Sequence, residues 1–350
     1  MLTREELKQY NRQITLPELG INGQEKLKAA KVLMIGAGGL GCPVLQYMAA
    51  AGVGYIGIVD DDVVDVSNLH RQILYSAADV GKPKALTAKQ KLELLNPFAI
   101  ITAYQERLTS DNATRLVDMY DLIIDGSDNF PTRYLVNDTC VSLNKPLVFG
   151  SIFKFEGQVS VFNYHDGPNY RDVFPEAPPA DEVPNCSEIG VIGVLPGMIG
   201  TYMANEGIKI ICGIGETLSG KLLTINALDN SMNVFEIAAQ KQSIPKPATT
   251  EEKPAEIANE EISMEVLKTW MAKTPEKVYL VDVREDYEFE DYNIGGVNIS
   301  LYELNEHIST FSIDKKLVFV CQTGQRSKMA VNVVKPFFEG EIFSVKNGIS

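Results

Sequence analysis

Val32-Leu33-Met34-Ile35-Gly36-Ala37-Gly38-Gly39-Leu40-Gly41, followed by Ile56-Gly57-Ile58-Val59-Asp60-Asp61-Asp62, decides the fold of this chain. Val32 to Ile35 is short, apolar and branched, which reads as a buried parallel strand. Gly36, Gly38 and Gly41 fit the spacing G-x-G-x-x-G, and Gly39 adds one more position without a side chain. Glycines there allow a tight turn and let the backbone approach phosphate oxygens. A helix expected over Cys42 to Ala51 points its N-terminus at the same charge. Asp60 ends the next strand, about 20 residues on, where an acidic side chain bonds ribose hydroxyls. Taken alone, the loop fits NAD, FAD and ATP sites equally, so its neighbours must supply the chemistry.

The rest of the chain narrows the field. At 350 residues it is long enough for two domains, each with its own core. A net charge of -14 and a pI near 4.8 argue against a nucleic-acid partner, whose footprint is basic. The start Met1-Leu2-Thr3-Arg4-Glu5-Glu6 does not read as a signal peptide, and no apolar run is long enough to span a membrane. Five cysteines sit far apart with no paired spacing. A cytoplasmic protein with reduced thiols and no membrane partner is expected.

Residues 1–239 alternate strand-like apolar runs with helical patterns, as in Leu122-Ile123-Ile124-Asp125, Pro146-Leu147-Val148-Phe149 and Gln158-Val159-Ser160-Val161-Phe162. This is an α/β pattern: a Rossmann-like doubly wound sheet, extended by an antiparallel portion. Residues 240–262 are rich in Pro, Glu, Lys and Thr and lack aromatic residues, which reads as a semi-flexible linker reaching about 25 Å. A second, smaller α/β unit is expected over 263–350, with strands at Val278 to Val283 and Leu317 to Val320.

Near the strand ends of the first domain lie Arg12, Ser67, Asn68, Arg71, Lys84, Asp128 and Asn129. Guanidinium groups grip phosphate bidentately and a lysine supplies a point charge. One carboxylate, Asp128, suits Mg²⁺ on a triphosphate. The pattern continues through Tyr10-Asn11-Arg12-Gln13-Ile14, Ser67 to Gln72, Pro131 to Asp138, Phe155 to Val159 and Gly190 to Gly197. These stretches closely resemble the ubiquitin-activating-enzyme-like adenylyltransferases, which include molybdopterin-synthase sulfurylases and activators of thiamine biosynthesis. The resemblance implies Mg-ATP and attack of a small ubiquitin-like sulfur carrier's C-terminal glycine carboxylate on the α-phosphate. It further implies nucleotide contacts from Gly39, Asp60, Asn68, Arg71, Lys84, Asp128 and Asn129. A homodimer is implied as well, with Arg12 reaching the partner's ATP site.

Cys186 stands in Pro184-Asn185-Cys186-Ser187-Glu188-Ile189-Gly190 after a proline-rich loop, where an exposed thiol could form a thioester or a disulfide. In the resembling family this position is the reactive cysteine. Cys42, Cys140 and Cys212 sit in apolar helical contexts and read as core packing. Many relatives hold a structural zinc with two Cys-x-x-Cys pairs. The corresponding positions here, Asn169 and Asp172 and the stretch 239–246, carry no cysteine, so no zinc is expected.

Cys321-Gln322-Thr323-Gly324-Gln325-Arg326 follows an apolar strand and precedes a helix. Such a loop is an anion cradle favouring a thiolate, and Arg326 adds charge for an anionic sulfur donor or a persulfide. Phosphatase loops place one residue more between Cys and Arg. The shorter spacing, with Tyr279-Leu280-Val281-Asp282-Val283-Arg284-Glu285 and Ile294 to Ile299, resembles a rhodanese sulfurtransferase. Rhodanese domains usually continue into a closing helix, whereas this chain stops at Asn347-Gly348-Ile349-Ser350, so the unit is either minimal or truncated.

Together the two domains suggest ATP-dependent activation of a carrier glycine, then sulfur transfer to give a thiocarboxylate. A molybdopterin-type carrier is favoured over a thiamine-type one. An NAD(P)-dependent oxidoreductase would explain the glycine loop but leaves Arg71, Lys84 and the Cys321 loop without a role. A non-catalytic module binding a ubiquitin-like partner would bind without forming AMP.

Overall fold

A computed structural model describes residues 1–177, 190–237, 261–301 and 303–349. The chain divides into two compact units, Met1–Ser243 and Ile244–Ser350.

The first unit is built on an eight-stranded mixed sheet. Its strands are β1 Lys31–Ile35, β2 Tyr55–Val59, β3 Ile100–Tyr104, β4 Leu122–Asp125, β5 Leu147–Phe153, β6 Glu156–Phe162, β7 Lys221–Asn226 and β8 Ser231–Glu236. They lie in the order β3-β2-β1-β4-β5-β6-β7-β8. From β3 to β5 neighbours run parallel, and from β5 to β8 antiparallel. The doubly wound sheet with an antiparallel extension is therefore present. Ile35 pairs with Val59 on one side and Asp125 on the other, so β1 is the strand where the order reverses. Ligands of open α/β sheets bind beyond the carboxyl end of such a strand.

The periodicity of β1 explains why both faces are covered. Val32 and Met34 pack into a core with Val44, Leu45 and Met48 of helix Gly41–Ala51 and Ile199 and Met203 of helix Val194–Cys212. Leu33 and Ile35 face the opposite core, with Leu116, Val136 and Phe149. Side chains two apart share a face, so a continuously apolar strand demands a helix layer on each side. The two helices of the first layer approach closely at Gly200, where a Cβ would stand 2.4 Å from Pro43 Cγ. Cys42, Cys140 and Cys212 are buried in helices, as their apolar contexts indicate.

The turn around Asn169 and Asp172 is held by aromatic packing and ion pairing, while the stretch 239–246 lies outside the described residues. Asn169 and Asp172 form a capping box around the short helix Tyr170–Val173. Tyr170 is buried against Phe149, Phe162, Tyr134 and Phe174. Arg171 grips Asp138 with two hydrogen bonds of 2.7 Å and lies over the Tyr134 ring.

The second unit is a five-stranded parallel sheet. Its strands are β9 Glu261–Ile262, β10 Val278–Asp282, β11 Val297–Asn298, β12 Lys316–Val320 and β13 Ile342–Val345, in the order β11-β10-β12-β13-β9. β12 is central and buried almost throughout; it delivers Cys321 to its carboxyl end, just before helix Gln325–Val334. No helix among the described residues is long and apolar enough to cross a membrane.

Candidate functional site

The carboxyl ends of β1, β2 and β4 frame a cavity of about 260 Å³. Gly36, Gly38 and Gly39 form its floor, and Asp60, Asn68, Arg71, Lys84, Asp128 and Asn129 all line it. The sequence separates these residues by up to 93 positions; the parallel topology brings them to one edge.

Each wall residue is placed by local bonding. Gly36 turns at φ +86°, where a side chain would be strained. Asp60 accepts a hydrogen bond from the Ala37 amide at 2.7 Å, tying β2 to the glycine loop. Burial raises the affinity of its carboxyl for a proton. Lys84 opens helix Lys84–Leu95, is 5% exposed, and meets Asp62 at 2.9 Å. Arg71 donates to the Ser67 carbonyl at 3.0 Å. Asp128 has only a long contact, 3.5 Å, from the Asn129 amide, and no ion pair among the described residues. Asn129 also shapes the fold, since its Oδ1 accepts from the Thr132 amide and caps helix Phe130–Ser142.

Three expected residues stand outside the cavity wall. Gly41 is inside a helix, where a Cβ would fall 2.1 Å from the Gly36 carbonyl oxygen; its role is to let helix and loop touch. Ser67 is bonded to Asp65. Arg12 lies exposed on the short helix Asn11–Ile14.

The wall also holds residues that the sequence does not single out as ligands: Asp61, Gln72, Arg107, Ser127 and Arg133 among them. Arg107 pairs with Asp61 at 3.3 Å. Gln72 Oε1, Ser127 Oγ and Arg133 Nε are buried without a hydrogen-bond partner among the described residues. Buried polar atoms are rarely left unpaired, so three orphans on one cavity wall mark a place built for a polar ligand. Gln72 directly follows Arg71 in the polar stretch after β2, which is the one signal that could have flagged it. The donor set fits a nucleotide triphosphate. Asp128, without a cation of its own, fits Mg²⁺, which takes one or two carboxylates and substrate phosphates.

In the second unit, Cys321 is fully buried. Its Sγ accepts from the Gly324 amide at 3.2 Å and the Ser327 amide at 3.3 Å, and lies 3.7 Å from Ser327 Oγ. Gly324 adopts φ +90°, which aims its N–H inward. The loop Cys321 to Arg326 is thus an amide cradle around sulfur. Gln322 accepts from Arg284, which is itself chelated by Asp282. Arg326 closes the loop and is engaged in an ion pair. Its Nη1 and Nη2 donate to Glu288 at 2.6 and 2.7 Å, so its charge faces a carboxylate. That pairing holds the Glu288 carboxyl below its usual range. Cys186 lies outside the described residues.

Residues 10–246 match the ThiF family and residues 263–350 the rhodanese-like domain. The chain is 56% identical over 234 residues to the sulfur carrier protein adenylyltransferase of Thermus thermophilus, covering 65% of this chain and 86% of that protein. It is 42% identical to the probable adenylyltransferase/sulfurtransferase MoeZ of Mycobacterium tuberculosis, over 99% of this chain and 93% of that one. A probable molybdopterin-synthase adenylyltransferase of Porphyra purpurea is 40% identical, over 99% and 92%. Among solved structures, E. coli MccB with ATP shares the fold, with a TM-score of 0.56 at 23% identity, over 63% of this chain and 67% of that one. The family implies ATP use, and the second domain implies sulfur transfer. The chain belongs to the ThiF family, as an adenylyltransferase enzyme that carries a rhodanese-like sulfurtransferase domain.

Proposed function

We propose that the chain activates the C-terminal glycine of a ubiquitin-like sulfur carrier of the molybdopterin-synthase small-subunit type and converts it to a thiocarboxylate. The observation carrying this reading is the meeting of Arg71, Lys84 and Asp128 beside the glycine loop, in a chain that also holds a thiol in an amide cradle. The name of the P. purpurea relative, a probable molybdopterin-synthase adenylyltransferase, supports the molybdopterin branch.

A carboxylate and a triphosphate repel, so cations must hold them in line. Arg71 and Lys84 carry that charge at the cavity wall. Lys84 would exchange its contact with Asp62 for phosphate. Asp128 would hold Mg²⁺, which neutralises the triphosphate when bound. The carrier's carboxylate attacks the α-phosphorus and pyrophosphate leaves, giving an acyl-adenylate. No protein nucleophile is needed for this step. A persulfide on Cys321 then attacks the acyl carbon and AMP leaves, giving an acyl disulfide. The Cys186 thiolate attacks Cys321 Sγ, which releases the carrier thiocarboxylate and leaves a Cys186–Cys321 disulfide for an external thiol to reduce. The protein works as a homodimer in this reading, with Arg12 offered to the partner's site, and a persulfide source supplies sulfur.

The test is ATP–pyrophosphate exchange with purified carriers, followed by carrier mass. Exchange that needs the molybdopterin-type carrier, and a thiocarboxylate on it, is expected. Exchange without any carrier, or activation of the thiamine-type carrier alone, would overturn the reading.

A further inference from the structure

The sulfur loop carries or bonds three cations, and each has a carboxylate partner. Arg326 is held by Glu288 at 2.6 Å, Arg284 by Asp282 at 2.8 Å and Lys328 by Glu261 at 2.9 Å. The Arg326–Glu288 pair is largely shielded, with side chains 23% and 21% exposed. Glu288 is itself anchored: its Oε2 also accepts from the Glu285 amide, in the capping box of helix Asp286–Asp291. Arg326 lies within electrostatic range of Cys321 and Glu285 as well. The cradle around Cys321 Sγ therefore offers amide N–H groups, while the one guanidinium of the loop is neutralised.

We infer that Glu288 sets the sulfur-donor specificity of this unit: by fixing and neutralising Arg326, it turns the cradle against dianionic donors such as thiosulfate and toward singly charged hydropersulfides. The physical reason is simple. Two amides in a neutral setting stabilise one negative charge on sulfur. A dianion brought to the same place needs an uncompensated cation, and the loop's guanidinium is already bound at both nitrogens to Glu288. Both donors would react in the same way. The Cys321 thiolate attacks the sulfane sulfur; the S–S bond breaks, and sulfite leaves from thiosulfate or an alkylthiolate from an alkyl hydropersulfide. Either way Cys321 becomes a persulfide, and cyanide returns it to thiolate as thiocyanate. The inference rests on Cys321 as the sulfur-bearing residue.

The experiment measures thiocyanate formation by the full chain with thiosulfate and with a small alkyl hydropersulfide as donors, and reads the ratio of the two kcat/KM values. Glu288→Gln removes the charge while keeping an acceptor, and should raise the thiosulfate-to-hydropersulfide ratio by about tenfold or more, mainly through a lower thiosulfate KM. Adding Arg326→Gln to that variant should return the ratio to the wild-type value, and Glu288→Asp should stay close to wild type. A ratio unmoved by Glu288→Gln in a variant that still loads sulfur on Cys321, seen as the added mass of one sulfur atom, overturns the role of Glu288 alone. A ratio that stays raised in the double variant also overturns it, because the freed cation is then not Arg326. Wild-type protein that takes sulfur on Cys321 from neither donor overturns the sulfurtransferase reading underneath.

Discussion

Lys84 and Asp79 show how charges of similar burial serve different ends. Lys84 is buried, but its partner Asp62 is 64% exposed, so water can take over that carboxylate when the lysine is removed. Lys84→Ala should therefore cost about 1 kcal/mol of stability or less. Carrier-dependent pyrophosphate exchange should fall by about 10²–10³-fold, the loss typical of one electrostatic group at a reacting centre. Exchange rates and a urea melt on the same preparation check both halves. Asp79 works in the fold. It accepts from Ser76, closes on Lys91 in helix Lys84–Leu95, and meets Lys82 at 3.3 Å. These bonds, that to Lys91 first, hold its carboxyl below the ordinary carboxylate range. The unfolded chain then binds the proton more readily than the folded one as pH falls. The contribution is complete above the ordinary carboxylate pKa of about 4 and is lost progressively below it. Urea midpoints should thus drop progressively as pH falls below about 4, and Asp79→Asn should flatten that drop. An equally steep drop in the variant would place the effect elsewhere.

At the scale of elements, the glycine loop and its helix act as one piece. A Cβ on Gly41 would lie 2.1 Å from Gly36 O, a backbone atom that no rotamer change can move away. Gly41→Ala should cost about 1–3 kcal/mol and abolish the ATP-induced thermal shift, because separating loop from helix also breaks the phosphate cradle. A variant with a normal ATP shift would show that the contact is dispensable. This element was readable from sequence because its signal is local: strand Lys31–Ile35, turn and helix follow one another without a gap. The Arg326–Glu288 pair joins positions 38 apart through the packing of a short acidic helix on the loop, and no local pattern announces it. Arg133 was hidden too. It belongs to helix Phe130–Ser142, yet the cavity receives it only because that helix is capped by Asn129 and stacks the guanidinium beside Phe149. Asn129 caps it directly before Phe130-Pro131, where proline is favoured in a first helical turn.

At the scale of the whole molecule, the two chemistries reside in separate compact units, each with its own core. The cavity beside the glycine loop is lined by residues of the first unit, and among the described residues Cys321 Sγ is held by groups of the second. Mutations should therefore divide the reaction cleanly. Cys321→Ala removes a sulfur atom that accepts amide hydrogen bonds from Gly324 and Ser327 of its own unit. Carrier-dependent pyrophosphate exchange should stay within about twofold of wild type, because additivity holds for sites without shared partners. Thiocarboxylate formation should fall to background, since no other described cysteine is held in such a cradle and the rest are buried in the first core. The acyl-adenylate should then persist until water or an added amine takes it, and carrier mass should report intact glycine or the amine adduct in place of the sulfur product. Lys84→Ala should give the converse: sulfur still loads on Cys321, and carrier activation falls by about 10²–10³-fold. If Cys321→Ala stops pyrophosphate exchange as well, the two units are coupled before sulfur arrives, and the division of labour argued from their separate cores is wrong.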